Sequence, residues 1–366
     1  MTKNDFLSKA QKRIINSSAT ILDALSQMDA IDKKLLLVFS ENKFKGLLSI
    51  GDIQRAIIKS VPLNTAISNI LRKNVRVAKP EDSFEDIKAL MIKYKTELLP
   101  VIGDDNEVVN IYFWEDIFEH ATPELLGKFD LPVVIMAGGR GARLKPITNI
   151  IPKPLIPLGE KPIIEWIIDS FNKKGVSKFY FSVNYKRDML QRYFDELPDK
   201  KYSITYFEET LPLGTAGSLH MLKGQIKETF FVTNCDILIN NDYSEILKYH
   251  RDNKNELTAV AAIKNFNIPY GIFETKENGL MSGFKEKPEF NFLVNAGMYI
   301  LEPQLLDMIP ENEFFHITHL MERIQKRNGR VGVFPVSEGS WMDIGDWSEY
   351  NKTLERLKMP AINFQG

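Results

Sequence analysis

Cysteine is nearly absent. Cys235 is the single one in 366 residues, which excludes an internal disulfide. The N-terminus does not join basic residues to an apolar stretch and a small-residue cleavage site, so a reducing cytoplasm is the expected compartment. No apolar run approaches the roughly 20 residues that a bilayer span requires, and a membrane is not an expected partner. Neither sign of charge is in excess: 48 acidic against 47 basic residues leave a net charge of −1, with no global field to draw the chain onto nucleic acid. Any binding of phosphate must therefore be local. What the chain does have is ordinary globular composition, 44% hydrophobic and 26% charged, at a length that allows two or three domains.

Residues 16–120 contain a weak repeat of about 64 residues. In the first copy ATILDALSQM has helical apolar spacing, KLLLVFSENKFKGLLSI reads as two strands around a polar turn, and GDIQRAII opens a second helix. DSFEDIKALM, TELLPVIGDDNEVVNIYF and WEDIFEH take the same three places in the second copy. This order, with the SIGD and FWED ends at matching offsets, resembles a tandem pair of CBS domains. The resemblance implies a regulatory nucleotide in the cleft between repeats, with a hydroxyl meeting phosphate and an Asp three residues later meeting ribose. Ser49 and Asp52 match that pattern. In the second copy Asp116 matches, but Phe113 stands where the hydroxyl belongs. Helix capping accounts for Ser49 equally well, since Ser is a preferred N-cap.

ATPELLGKFD changes character, with a Pro, a Gly and little apolar periodicity. The expected division is a CBS pair over 1–123 (1–63 and 64–123), a linker over 124–130 and a second domain over 131–366. In that domain LPVVIMA, KFYFSVN, TFFVTNCD and LTAVAAIK are short, nearly continuous apolar runs of the kind buried parallel strands produce. Helical stretches at 161–175, 186–197 and 244–253 alternate with them, which predicts a doubly wound α/β fold.

In such a sheet the phosphate loop follows the first strand. MAGGRGARLKPITNIIPKPL lies there. It is not the dinucleotide fingerprint, because Leu144 occupies the third small position, and it lacks the Gly-Lys-Ser/Thr of a P-loop. Gly138, Gly139 and Gly141 let backbone N–H groups approach phosphate oxygens, Arg143 offers a two-pronged clamp, and Lys153 is held between two prolines. Asp236 ends an apolar strand, where a carboxylate is costly unless a cation meets it, and Asp343 follows Trp341 and Met342. Two carboxylates with positions left for phosphate oxygens are a common way to hold Mg²⁺.

GGRGARLKPITNIIPKPL, PLGTAGSL, FVTNCDIL, FKEKP, VNAGMYIL and WMDIGDW, in this order, resemble the sugar-nucleotide pyrophosphorylases, nucleotidyltransferases that join a nucleoside triphosphate to a sugar 1-phosphate. The resemblance covers residues 131–360 and implies a Rossmann-like, glycosyltransferase-A-like domain. It implies nucleotide contacts at Ala137, Gly138, Gly139, Gly141, Glu209, Pro212, Gly214 and Thr215. It implies sugar-phosphate contacts at Gly271, Glu286, Lys287 and Asn295, with Gly297 beside the sugar. It further implies Arg143, Lys153 and Lys287 as catalytic cations, and Asp236 and Asp343 as ligands of Mg²⁺. PLGTAG after Glu208 and Glu209 resembles the guanylyltransferase branch, and a carboxylate suits guanine's N1 and N2 donors. Among these enzymes, CBS repeats ahead of the transferase resemble the glucosamine-1-phosphate guanylyltransferases of bacterial legionaminic acid biosynthesis. A mannose or heptose 1-phosphate acceptor, a UTP or CTP donor, and a catalytically inactive nucleotide-sensing subunit are the alternatives. A homo-oligomer is expected. His316 and His319 have one-turn spacing but too few partners for zinc, and Cys235 beside Asp236 is expected to be a packed, weakly acidic thiol.

Overall fold

The computed structural model of the chain describes residues 9–72, 75–94, 96–117, 127–357 and 359. They form two compact units, the first drawn from the described residues before 127 with 265–291 and 337–339, the second from 127–264, 292–336 and the described residues from 340 on. Among the described residues no helix is long and apolar enough to cross a membrane.

In the first unit both copies of the repeat build the same motif. The hairpin Leu35–Ser40/Lys43–Ser49 is preceded by helix Ile21–Ile31 and followed by helix Ile50–Ile58; the hairpin Leu98–Ile102/Val108–Phe113 is preceded by Phe84–Tyr94 and followed by Trp114–Ile117. Each hairpin also takes a parallel partner from upstream, through Ile15↔Val38 in one copy and Ala78↔Val101 in the other. Sequence periodicity did not reveal these, because a three-residue strand and a single bridge are too short to show alternation. Leu37, Phe44, Leu98, Ile111 and Phe113 pack one apolar cluster from both copies.

Three helices of this unit start with the same device. Thr20 and Asp23, Ser49 and Asp52, and Ser83 and Asp86 each exchange a side-chain hydroxyl and a carboxylate across the first turn. Such reciprocal capping satisfies two of the N–H groups that a helix start leaves open.

The second unit is built on a seven-stranded sheet in the order Ser203–Glu208, Lys178–Val183, Val133–Met136, Phe230–Asn234, Glu289–Leu301, Leu257–Asn267, Val331–Val336. The first four strands run parallel; Lys178–Val183, Val133–Met136 and Phe230–Asn234 are largely buried, whereas the edge strand Ser203–Glu208 buries only Phe207. Glu289–Leu301 is antiparallel to Phe230–Asn234, so the sheet is mixed. Helices Ile163–Asn172, Arg187–Glu196 and Tyr243–Asp252 lie where the sequence predicts them. Gly175, at φ +99°, ends the first of these segments in a conformation that glycine adopts without strain.

Candidate active site

The carboxyl ends of the parallel strands carry the functional side chains, and a small ribbon brings two of them together. Strand Ile237–Ile239 follows Asp236 directly and pairs antiparallel with Trp341–Asp343, in the register Ile237↔Asp343. Ile344 N–H donates to the Asp236 carbonyl at 2.9 Å, so the backbone itself sets Asp236 beside Asp343. Residues more than 100 apart in sequence thereby become neighbours.

Both carboxylates line a cavity of about 310 Å³, together with Arg143, Thr215, Asn234, Asn295, Gly297, Tyr299, His316, Thr318 and Trp341. Lys153, just below, is ion-paired to Asp236. Burial works against the lysine's charge, but Asp236, with help from Cys235 and Asp343, outweighs it and raises the Lys153 pKa above the ordinary value. Asp343 shifts upward as well. Burial is the larger cause and the Asp236 charge the second, against the opposing pull of Gly345 N–H, Lys153 and Arg143. A positive charge brought to Asp343 would favour its ionised form against burial and the Asp236 charge.

Glycines permit the close approaches. A Cβ on Gly345 would stand 2.7 Å from Asp343 Oδ1 and 2.9 Å from Arg143 Nη2, so the backbone passes directly against the guanidinium and the carboxylate. Gly345 N–H donates to Asp343 Oδ1 at 2.7 Å and fixes its rotamer. Gly297, at φ +78°, lies against Asn234, where a Cβ would fall 2.7 Å from Nδ2. Asn295 is held by Tyr299, whose hydroxyl accepts from Asn295 Nδ2 at 2.7 Å.

The glycine-rich loop turns at Gly141, φ +62°, where the Thr148 hydroxyl donates to the Gly141 carbonyl at 3.0 Å. Ala137 is buried and its N–H donates to Ser182 O, while the Cβ position of Gly139 has no atom within 4 Å. Gly138 faces a different carboxylate. Glu209 is buried, accepts from the Ser182 hydroxyl and, at 3.4 Å, from Leu213 N–H, and its Oε1 stands 3.2 Å from where a Gly138 Cβ would be. Glu208, by contrast, is exposed and paired with Arg187. Gly214, at φ +80°, presses on the Phe315 carbonyl, and Thr215 Oγ1 accepts from Ile317 N–H at 3.1 Å, which ties the PLGTAG loop to the start of helix Ile317–Lys326. Pro212 is exposed and does not line the cavity.

Arg143, Thr215, Asp236, Asn295 and Asp343 thus share one cavity, with Lys153 joined to it through Asp236. Gly271, Glu286 and Lys287 belong instead to the first unit, at the hairpin Ile272–Thr275/Met281–Lys285. Ser49 caps its helix. Asp52, also in the first unit, is buried and ion-paired to Arg55 and Arg72. The Asp116 side chain lies outside the described residues. Phe113 is a core residue with the Lys9 ammonium 4.6 Å from its ring centroid.

Asn234, Tyr299, His316, Thr318 and Trp341 line the cavity without having been singled out as site residues from sequence. Asn234, Tyr299 and Trp341 lie within FVTNCDIL, VNAGMYIL and WMDIGDW and were legible there. His316 Nδ1 lies 3.3 Å from the Thr215 hydroxyl, and His319 Nδ1 accepts from His316 N–H. Among the described residues no group of three or more His, Cys, Asp and Glu could hold a metal without other ligands. Burial first, and then the Asp236 charge, push the Cys235 thiol up to about 12, which removes it as a nucleophile.

Residues 132–358 match the nucleotidyl transferase family, and residues 67–122 match the CBS domain. The chain is 31% identical over 245 residues to the probable mannose-1-phosphate guanylyltransferase 1 of Oryza sativa subsp. japonica, covering 63% of this chain and 67% of that one. It is 33% identical over 233 residues to the mannose-1-phosphate guanyltransferase of Saccharomyces cerevisiae, covering 59% and 62%. The chain spans about two thirds of the length of the curated relatives it matches, 66% for the first. HddC from Yersinia pseudotuberculosis, solved with GMP-PN, aligns at a TM-score of 0.48 and 24% identity, over 62% of this chain and 99% of that one. The matched segment takes in the glycine-rich loop, both carboxylates and the sheet that carries them, and through it the chain belongs to the nucleotidyl transferase family, with a CBS domain over residues 67–122.

Proposed function

We propose that this chain transfers a nucleoside monophosphate from a nucleoside triphosphate to a sugar 1-phosphate, with release of pyrophosphate. The observation that carries the reading is the ribbon Ile237–Ile239/Trp341–Asp343, which holds Asp236 and Asp343 side by side in a cavity that Arg143 also lines. Such an arrangement suits a reaction whose difficulty is charge. A sugar 1-phosphate oxygen is already an anionic nucleophile, so positioning and neutralisation do most of the work and no general base is needed.

Arg143 would take the charge growing on the attacked phosphate and the departing pyrophosphate. Lys153, ion-paired to Asp236, would stay as a fixed cation beneath the phosphates. The backbone N–H groups at Gly138, Gly139 and Gly141 would cradle the triphosphate, with Ala137 at the strand end, and Gly214 and Thr215 would bound the nucleoside. Asn295, oriented by Tyr299, would meet a sugar hydroxyl. Asp236 and Asp343 fit Mg²⁺: both offer hard oxygens, they resist each other's charge, and two protein ligands leave the other positions to phosphate. Bound there, Mg²⁺ would supply Lewis-acid polarisation of the α-phosphate.

GTP is the proposed donor. The curated relatives are named as guanylyltransferases, and Glu209, buried below Gly138, is an acceptor suited to guanine's N1 and N2 donors. For the acceptor we propose glucosamine 1-phosphate, on the strength of CBS repeats ahead of the transferase, as in legionaminic acid biosynthesis. The names of the relatives favour a second acceptor, mannose 1-phosphate. At the CBS pair, over 1–123, we propose a regulatory nucleotide near Ser49 and Asp52, with Arg55 and Arg72 as its cations. Pyrophosphate release on the four ribonucleoside triphosphates and dTTP, each crossed with glucosamine, mannose, heptose and glucose 1-phosphates, tests donor and acceptor together. The expected maximum is GTP with glucosamine 1-phosphate. Equal or faster use of UTP would overturn the donor, a mannose maximum the acceptor, and no release from any pair the activity.

A further inference from the structure

His316 carries a ring N–H that the fold leaves unused. The residue stands at the N-cap of helix Ile317–Lys326, and its own backbone N–H donates to His319 Nδ1 at 3.2 Å. On its ring, Nδ1 meets the Thr215 backbone N–H at 3.4 Å and the Thr215 hydroxyl at 3.3 Å. A peptide N–H can only donate, so Nδ1 must offer its lone pair, and in a neutral imidazole the ring hydrogen then sits on Nε2. The Thr215 hydroxyl agrees with this direction: its oxygen already accepts from Ile317 N–H at 3.1 Å, which frees its hydrogen for the same Nδ1. Among the described residues Nε2 has no hydrogen-bond partner.

The ring is also held in place. Phe314 meets it edge to face, with centroids 4.7 Å apart and planes at 79°. A Cβ on Gly214, φ +80°, would stand 2.8 Å from the Phe315 carbonyl and 3.3 Å from His316 Nδ1, so only a glycine lets the PLGTAG loop come this close to the imidazole. A donor fixed before its partner arrives loses little side-chain freedom on binding.

His316 lines the same cavity of about 310 Å³ as Asp236, Asp343, Asn295 and Trp341, whereas Glu209, the acceptor proposed for the base, is not among the residues that line it. The cavity is therefore the sugar-phosphate half of the site in the transferase reading above, on which this inference rests. We propose that His316 Nε2–H donates to one ring hydroxyl oxygen of the acceptor sugar and thereby selects for a hydroxyl at that carbon. The chemistry is one-sided. A hydroxyl oxygen has lone pairs for the donor, an ammonium has none, and a bare C–H leaves the N–H unpaired in a closed site. Sites built to hydrogen-bond a hydroxyl reject the analogue that lacks it. The amino group of an amino sugar is accordingly read elsewhere in the cavity, and His316 reads one of the remaining hydroxyls.

The test crosses the full-length wild type, His316→Ala and His316→Gln with the sugar 1-phosphate that wild type uses fastest and with its 3-deoxy, 4-deoxy and 6-deoxy analogues, reading kcat/KM for pyrophosphate release. Wild type is expected to lose about 10–100-fold on one of the three analogues, the cost of an unpaired N–H. His316→Ala should lose a similar factor on the parent sugar and nothing further on that analogue, with the other two penalties unchanged, and His316→Gln, which keeps a side-chain N–H, should recover part of the parent rate. A purely structural role would lower all four sugars alike. Should the alanine variant fail to fold, ¹⁵N spectra of histidine-labelled wild type decide: the His316 ring should show the Nε2–H form, and its Nε2 signal should move on addition of the parent sugar 1-phosphate but not of the penalised analogue. Deoxy penalties that are absent in wild type or identical in His316→Ala, an Nδ1–H ring, or an Nε2 signal indifferent to the sugar would each overturn the proposal while leaving the transferase reading in place. Pyrophosphate release from no pair would overturn both.

Discussion

Asp52 and Asp343 are two partly or wholly buried aspartates with opposite surroundings. Around Asp52 everything donates: Ser49 through its hydroxyl and its backbone N–H, and the guanidinium groups of Arg55 and Arg72. Burial is the largest influence and opposes its charge, yet the donors together win and its pKa falls below the ordinary 3.8. Asp343 has cations near it too, but its closest electrostatic neighbour is another carboxylate, and burial and repulsion together lift its pKa. A carboxylate that builds a fold is one whose charge is satisfied. One left wanting a cation, as Asp343 is, suits the metal-holding role proposed for it.

The contrast can be broken from either side. Removal of divalent metal by chelation should have the largest effect and abolish pyrophosphate release, with recovery on addition of Mg²⁺; release that survives exhaustive chelation would end the metal assignment. Arg143→Ala should come next, lowering kcat by about 10²–10³, since a donor aimed at developing charge contributes roughly 3–4 kcal/mol. A rise in KM at unchanged kcat would make Arg143 a ground-state contact only. Glu209→Gln should narrow the preference for GTP over UTP by about 10–100-fold, judged by the ratio of kcat/KM values. An unchanged ratio would remove Glu209 from base selection and leave it as a partner of Ser182.

The smallest effects concern stability and pH, and they have opposite signs at the two sites. A depressed pKa means that Asp52 stabilises the fold at pH values above the unfolded carboxylate's, and that this contribution is lost as pH falls through its lower folded value. Asp52→Asn should therefore lower stability at neutral pH by about 1–3 kcal/mol, through the weakened cap and the two arginines left without their carboxylate. A raised pKa means the reverse for Asp343. Its contribution is present below the ordinary value near 3.8 and is lost as pH rises through the higher folded value. Asp343→Asn should then leave neutral-pH stability equal to or slightly above wild type in the absence of metal, as urea unfolding at pH 7 would register.

Much of this was legible before the structure, and for identifiable reasons. Strands such as TFFVTNCD are buried on both faces, so their composition alone marks them. Asp236 stood out because a charged residue interrupts such a run. The helix from Ile163 was bounded by Pro162 and Gly175, whose backbone preferences act locally. Strand Glu289–Leu301 escaped as a strand because it has no clean period, and nothing local announces that a strand will enter a parallel sheet in reverse. The nearness of Asp236 to Asp343 was implied only by resemblance, since it depends on a ribbon of three-residue strands closed over more than 100 residues. Ser49 and Asp52 show the converse limit. Their spacing fits a nucleotide site and a capping box alike, and Thr20–Asp23 and Ser83–Asp86 repeat the capping geometry in the same unit.

The comparison is tested most directly by measuring turnover and melting temperature together on Asp343→Asn and Asp52→Asn, at saturating GTP and sugar 1-phosphate with Mg²⁺ present. Asp343→Asn is expected to lose about three orders of magnitude in kcat, as the loss of several kcal/mol of metal stabilisation requires, while its metal-free melting temperature stays at or above that of wild type. Asp52→Asn is expected to melt earlier and to turn over within about threefold of wild type. Near-normal turnover by a folded Asp343→Asn would contradict the assignment of this cavity as the place where the phosphoryl bond is made and broken.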